Sequence, residues 1–289
     1  MQPKLFNWFL FILLCFIWGS SFILMKEGLK QLSAFEVAAL RMLSAGLVLL
    51  PFAVRSFQRT QIKDLALLVL TGILGSFIPA ILFCVAETQI DSALAGMLNA
   101  LTPFFVILIG AVFFQAKVAT QKMIGVLVGF SGMLLLFLSQ KSNSANSNVF
   151  FAALIVVATL SYGLNVNITN RYLKHVGSLD IAAIAFVSLI PASLALLFYT
   201  GFAQHQITDL AVIKSISAAF VLGVLGTAIA SILFYMLMKR AGTLFSTMVT
   251  YGIPFVAMGW GLLAGEAISL LQVAGLGVIL SGVYITNRQ

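Results

Sequence analysis

Charge is scarce in this sequence. Asp, Glu, Lys and Arg make up 8% of its 289 residues, where a water-soluble domain carries about 25%. That shortage excludes a soluble globular fold. Cysteine is nearly absent. Cys15 and Cys84 are the only two, and both lie inside apolar stretches. They form neither a disulfide framework nor a metal-ligand pattern. The two histidines, His175 and His205, lie outside the apolar stretches, and no acidic pair lies deep within one. An enzyme working inside the membrane needs such clusters for metal or acid–base chemistry. No enzyme, metal site or cofactor is therefore expected. Acidic residues number 8 against 16 basic ones, a net charge of +8. The basic residues cluster as membrane orientation requires, and nucleic acid is not expected as a partner.

What is present is hydrocarbon. Hydrophobic residues make up 61% of the chain, and the mean hydropathy is +1.11. An uncharged apolar run of about 18 residues or more reads as a membrane span. Nine such stretches stand out: 5–25, 65–86, 92–116, 123–140, 142–170, 181–204, 215–238, 241–265 and 267–287. A tenth, 34–54, contains Glu36 and Arg41 but is otherwise apolar. The expected fold is an all-α integral membrane protein of ten transmembrane helices. The first stretch is longer than a signal-peptide core and shows no A-x-A pattern near Lys26, so it reads as a retained helix.

Placing the amino terminus in the cytoplasm puts Lys4, Arg55, Arg59, Lys63, Lys117, Lys122, Arg171, Lys174, Lys239, Arg240 and Arg288 inside. Lys26, Lys30, Lys141 and Lys214 fall outside, with Arg41 near the outer end of its span. Eleven of the 16 basic residues are then cytoplasmic, as the retention of positive loops demands. A multi-pass protein of the cell's inner membrane with both termini in the cytoplasm is expected.

The chain is also duplicated. GILGSFIPAILF at 72–83 lies over GVLGTAIASILF at 223–234, an offset of 151 residues. At the same offset Pro103 meets Pro254 and Gln121 meets Gln272. Near the start of each half, Trp18-Gly19 lies over Tyr162-Gly163. The expected organisation is a first five-helix unit over 1–138, a polar linker SQKSNSANSN at 139–148, and a second unit over 149–289. Five passes is an odd number, so the second unit should enter the membrane from the opposite side. Inverted repeats enclosing a midplane site are a recurring transporter plan.

The ordered set of motifs resembles the EamA-type members of the drug/metabolite transporter superfamily, over essentially the whole chain. Its carriers are WGSSFILMK at 18–26, AFEVAALR at 34–41, DSALAGMLNALTP at 91–103, its echo AGTLFSTMVTYGIP at 241–254, and Gly265-Glu266 followed by Gln272. The resemblance implies two five-helix halves, a central cavity, a peripheral fifth helix in each half, and transport of small organic metabolites, often outward. One position departs from symmetry: Gln115 stands where the second half has Glu266.

Polar groups at membrane depth usually mark a pathway. Trp18, Ser21, Phe83, Asn99, Tyr162, Asn165, Tyr235, Thr250 and Tyr251 are the candidate cavity residues, beside Phe234. Gly19 and Ser20 read as helix–helix contact. Pro103 and Pro254 free the carbonyls of Asn99 and Thr250. Those carbonyls either receive a substrate ammonium or are re-satisfied by neighbouring hydroxyls. At the outer mouth stand Lys26, Glu36, Arg41 and Glu87. Arg41 reads as the partner of Glu36 or Glu87, with carboxylate binding by Arg41 or Lys26 as the alternative. The deep cavity is expected to be uncharged. Small-residue faces at Gly125, Gly129 and Gly132, and at Gly275, Gly277, Ser281 and Gly282, suit close helix contact, leaving a monomer or a weak homodimer.

These features lead to a secondary transporter, an exporter or facilitator of small neutral or zwitterionic metabolites, amino acids foremost, by alternating access. A drug-efflux carrier and a non-transporting membrane partner protein are the alternatives. The partners implied are a small-molecule substrate and the lipid bilayer.

Overall fold

A computed structural model describes residues 3–90, 92–139, 149–206, 208–263 and 270–287. Asp91, positions 140–148 of the linker, Gly265 and Glu266 lie outside the described residues. Among the described residues the fold is all-helical.

The first part of the chain comprises α1 (Pro3–Gly28), α2 (Ala34–Arg59), α3 (Ile62–Gly72), α4 (Ile78–Ala86), α5 (Ser92–Asn99), α6 (Thr102–Phe114) and α7 (Thr120–Ser139). The second comprises α8 (Val149–Tyr172), α9 (Ser178–Val187), α10 (Ile190–Tyr199), α11 (Leu210–Gly223), α12 (Ala230–Ala241), α13 (Thr243–Thr247), α14 (Ile253–Leu263) and α15 (Leu270–Asn287). A π-helical segment, Ile73–Phe77, joins α3 to α4, and another, Val224–Ile229, joins α11 to α12. Six rods are long and apolar enough to cross a membrane: Lys4–Gly28, Ala34–Arg59, Ile62–Ala86, Val149–Tyr172, Ser178–Tyr199 and Leu210–Ala241. Thr102–Phe114, Thr243–Val256 and Val273–Thr286 are shorter apolar helices.

Local chemistry explains the breaks. Pro103 cannot extend α5 and instead sits in the first turn of α6, where its missing amide costs nothing. Pro191 does the same for α10 after α9. In the second half Met248–Tyr251 forms a 3₁₀ turn between α13 and α14. α2 begins with a capping box. The Ser33 hydroxyl accepts from the Glu36 amide, and the Glu36 carboxylate accepts from the Ser33 amide at 2.8 Å. Such a cap contributes about 1 kcal/mol. It also fixes where α2 starts, and so how deep Arg41 lies.

Helix contacts are exchanged between the two parts. α1 packs on α11, α12 and α14, while α8 packs on α3, α4 and α6. α2 packs on α9, and α7 on α15. The glycines show how close these contacts are. A Cβ at Gly72 would stand 2.7 Å from the Ala185 carbonyl, and one at Gly223 would run into the Arg41 carbonyl. Gly19 is filled by Val256, and Gly163 by Phe105 and Ile109. Gly125, Gly129 and Gly132 of α7 meet Gly282, Thr286 and Ile279 of α15. The small-residue face considered for a dimer is thus consumed within the chain, whereas Gly277 borders open space. Large apolar side chains such as Phe9, Ile12, Phe16, Phe113 and Phe198 cover the outside. That surface is unsuited to water and matched to lipid.

Candidate functional site

One cavity lies where the exchanged contacts converge. It encloses about 930 Å³, including the part open to solvent. Its lining comes in matched pairs, one member from each part of the chain. Trp18 faces it with Tyr162, Ser21 with Asn165, Gly75 with Gly226, Ser76 with Thr227, Phe83 with Phe234, and Asn99 with Thr250. Phe22, Met25, Thr102, Val166, Ser231, Tyr235, Thr247 and Ile253 complete most of the wall.

The π-helical segments build its centre. An i→i+5 turn widens the helix and displaces backbone groups from the ordinary ladder, which is why such bulges gather at functional sites. Trp18 Nε1 donates to the Gly226 carbonyl at 3.1 Å. Ser21 stacks over Gly226, whose absent side chain leaves it room, and Asn165 stacks over Gly75 in the same way. Each part therefore lays a polar side chain on the bulge of the other. Aromatic rings surround these groups. Trp18 and Phe234 have centroids 5.5 Å apart, Phe83 and Tyr162 6.3 Å, and Phe22 and Phe83 6.3 Å.

Of the candidates named from sequence, Trp18, Ser21, Phe83, Asn99, Tyr162, Asn165, Tyr235 and Thr250 come together here. Tyr251 does not. It is fully buried, its hydroxyl donates to the Val126 carbonyl at 3.0 Å, and its ring fills the space left by Gly129. Its role is to pin α7. Ser20 accepts from Trp260 Nε1 at 3.0 Å, a contact between α1 and α14. Asn167 likewise ties α8 to α6, donating to the Val106 carbonyl at 3.0 Å. At Pro103 the freed Asn99 carbonyl accepts from the Thr102 hydroxyl at 2.7 Å. This is re-satisfaction by a neighbouring hydroxyl rather than an open acceptor. Pro254 lies in the first turns of α14, beyond the 3₁₀ turn.

The charged residues require a correction. The cavity is not lined by uncharged groups alone, because Arg41 forms part of its wall. Nor does Arg41 pair with Glu36. The Glu36 carboxylate is held by His205, whose Nε2 lies 3.1 Å away, and by the Ser33 amide. Arg41 Nε instead donates to Thr227 Oγ1 at 2.6 Å, across to the π segment of the other part. Glu87, just past the end of α4, is buried. Its Oε2 accepts from Ser92 at 3.1 Å, while Oε1 has no partner among the described residues. Burial pushes its carboxyl up to about 8, against the hydrogen bond from Ser92 and the charges of Lys26 and Arg41. Lys26 is exposed, and neither it nor Glu36 nor Glu87 is among the lining residues.

Sequence reasoning missed Gly75, Ser76, Gly226 and Thr227 as wall residues. Their signal was present in the Gly-Ser and Gly-Thr steps of the two duplicated segments, which were legible as a repeat but not as bulges. Among the described residues no cluster of His, Cys, Asp or Glu could hold a metal ion.

An apolar helical bundle enclosing an amide- and aromatic-lined hollow defines a membrane protein that handles a small solute. Comparison with known proteins gives the family. The profile of the EamA-like transporter family matches this chain twice, over residues 6–138 and 149–288. The chain belongs to that family and is a membrane transporter, not an enzyme. It is 25% identical over 288 residues to an uncharacterized transporter of Archaeoglobus fulgidus, covering 98% of this chain and 99% of that one. To the uncharacterized inner membrane transporter YedA of Escherichia coli (strain K12) it is 25% identical over 275 residues, covering 94% and 87%. A Salmonella typhimurium protein named a probable amino-acid metabolite efflux pump is 27% identical over 289 residues, covering 96% and 93%. One crystal structure shares the fold with a TM-score of 0.73 at 16% identity, covering 96% of this chain and 94% of the other.

Proposed function

We propose that this transporter is a secondary carrier that moves small zwitterionic or neutral metabolites, amino acids foremost, out of the cell by alternating access. The observation behind this reading is the pairing of the cavity wall. Matched positions, led by Trp18 with Tyr162 and Gly75 with Gly226, put nearly equal shares of the site on the two parts of the chain. Two units sharing one site can rock about it and expose it to either side in turn.

In this reading the chain crosses the inner membrane ten times, as two five-helix units over 1–138 and 149–289 joined by the linker. The units thread oppositely, and both termini lie in the cytoplasm. The exchanged contacts of α1 with α11, α12 and α14, and of α8 with α3, α4 and α6, support that arrangement. Relatives named as amino-acid metabolite efflux pumps in Salmonella typhimurium and Escherichia coli support the substrate class and direction.

The test has two arms. A host overproducing the chain is grown on toxic amino acids and their analogues, where export predicts resistance. The purified protein in proteoliposomes is then tested for counterflow. Saturable exchange of an amino acid is the expected result. Flux that never saturates, or strong preference for a multiply charged anion, would overturn the proposal.

A further inference from the structure

Arg41 is the one cation in the wall of the cavity among the described residues, and its surroundings specify what it waits for. Its position is rigid. The Arg41 carbonyl abuts Gly223, so α2 and α11 meet backbone to backbone at this point. Thr227 holds the guanidinium from below. The Thr227 hydroxyl donates to the Leu222 carbonyl at 3.3 Å, five residues back in the last turn of α11. Its one proton is thereby used, and it can only accept from Arg41 Nε. This leaves the two terminal nitrogens of the guanidinium, the edge that grips a carboxylate in a bidentate fork.

No carboxylate of the described residues takes that edge. Among the described residues Glu27 pairs with Lys30, while Asp64 lies against His175 and Glu36 against His205. Glu87 is near enough to feel Arg41, yet it forms no ion pair with it, and its own burial favours the protonated form at neutral pH. Charge in a low-dielectric hollow is costly without a counter-ion. The rest of the wall indicates the body that accompanies the anion. Trp18, Tyr162, Phe83 and Phe234 offer apolar faces, and the buried amides of Asn99 and Asn165 offer hydrogen bonds.

We propose that Arg41 is the anchor of the transport site and takes one carboxylate, carried on a flat or apolar body, through its free guanidinium edge. This rests on the carrier reading for its consequence but not for its binding chemistry. The carboxylate can belong to an α-amino acid or to a plain monocarboxylic acid, and the experiment separates these.

The full-length protein in detergent is titrated with phenylalanine, 3-phenylpropionate, phenylalanine amide and phenethylamine, with thermal stabilisation as the readout. The expected result is stabilisation by one or both acids and none by the amide or the amine. Phenylalanine alone indicates an amino-acid site, and both acids indicate that the carboxylate suffices. Arg41→Gln should weaken acid binding about tenfold or more, with part of the affinity kept in Arg41→Lys. The wild-type comparison of acid with amide stands even if Arg41→Gln fails to fold. Binding of the amide or amine as tight as that of the acids, stabilisation by none of the four, or unchanged acid affinity in Arg41→Gln would overturn the proposal. Acids that bind but do not exchange in proteoliposomes would sink the carrier reading and leave this one intact. Saturable exchange of amino acids that Arg41→Gln leaves unchanged would do the reverse.

Discussion

The two π-helical segments occupy equivalent places in the duplication, Ile73–Phe77 and Val224–Ile229, and they do different work. Both carry a glycine on which a side chain from the other part rests, and both face the same cavity. Only the second binds a cation, because Thr227 meets Arg41. At the position equivalent to Arg41 the second half has Ala185, and opposite Glu87 it has Met238. The backbone device is shared while the charge is confined to one side. The difference teaches that packing and chemistry diverged separately after duplication. Close contacts tolerate little change, since a methyl group too many displaces a whole helix. The polar load of the site can differ freely between halves.

The strongest way to break this comparison is at the backbone contacts. Gly72→Ala and Gly223→Ala each force a methyl group against a facing helix. Each should destabilise the protein by about 1–3 kcal/mol, read as a lower melting temperature in detergent. If one glycine tolerates the methyl and the other does not, the two contacts are not counterparts.

A smaller effect tests the exchange of side chains. Gly75→Ala collides with Asn165, so Asn165→Ser should restore most of the lost stability in the double mutant. The pair should show a coupling energy of about 0.5–3 kcal/mol in a double-mutant cycle. Simple additivity would argue that Asn165 does not rest on the bulge.

A pH-dependent effect tests the one-sided charge. The Glu87 carboxyl is raised to about 8 in the fold, above about 4.3 in an unfolded chain. Between those values the unfolded chain has released its proton and the folded one has kept it. Wild-type stability therefore falls as pH rises through that window. Glu87→Gln removes the loss. Its stability advantage over wild type should be larger at pH 8 than at pH 5, by thermal unfolding at both. Met238→Gln in the other half should show no such pH dependence.

Much of this architecture was legible in the sequence. The apolar rods were readable because hydrocarbon must cover each helix that crosses lipid, and the duplication because Gly75 and Gly226 recur at a fixed offset. The amides and rings of the cavity wall were readable, because such groups at membrane depth have few other uses, but its small and aliphatic residues were not. The exceptions have physical causes. Thr250 and Tyr251 are adjacent in a 3₁₀ turn, where successive side chains diverge by about a third of a turn. One reaches the cavity and the other faces α7, and composition does not reveal which. Arg41 was misplaced because depth along α2 says nothing about the hydroxyl that Thr227 offers from another helix. The bulges themselves escaped because no residue type encodes an i→i+5 turn.

The opposite threading of the two units is the claim on which alternating access depends. Lys63 and Lys214 are equivalent in the duplication, and both are exposed at the starts of α3 and α11, while the native Cys15 and Cys84 are buried. Single Lys63→Cys and Lys214→Cys variants, treated in intact cells with a membrane-impermeant maleimide, test it directly. The account predicts labelling at position 214 in intact cells and at position 63 only after the membrane is opened. Equal labelling at both positions, or protection of both, would contradict it.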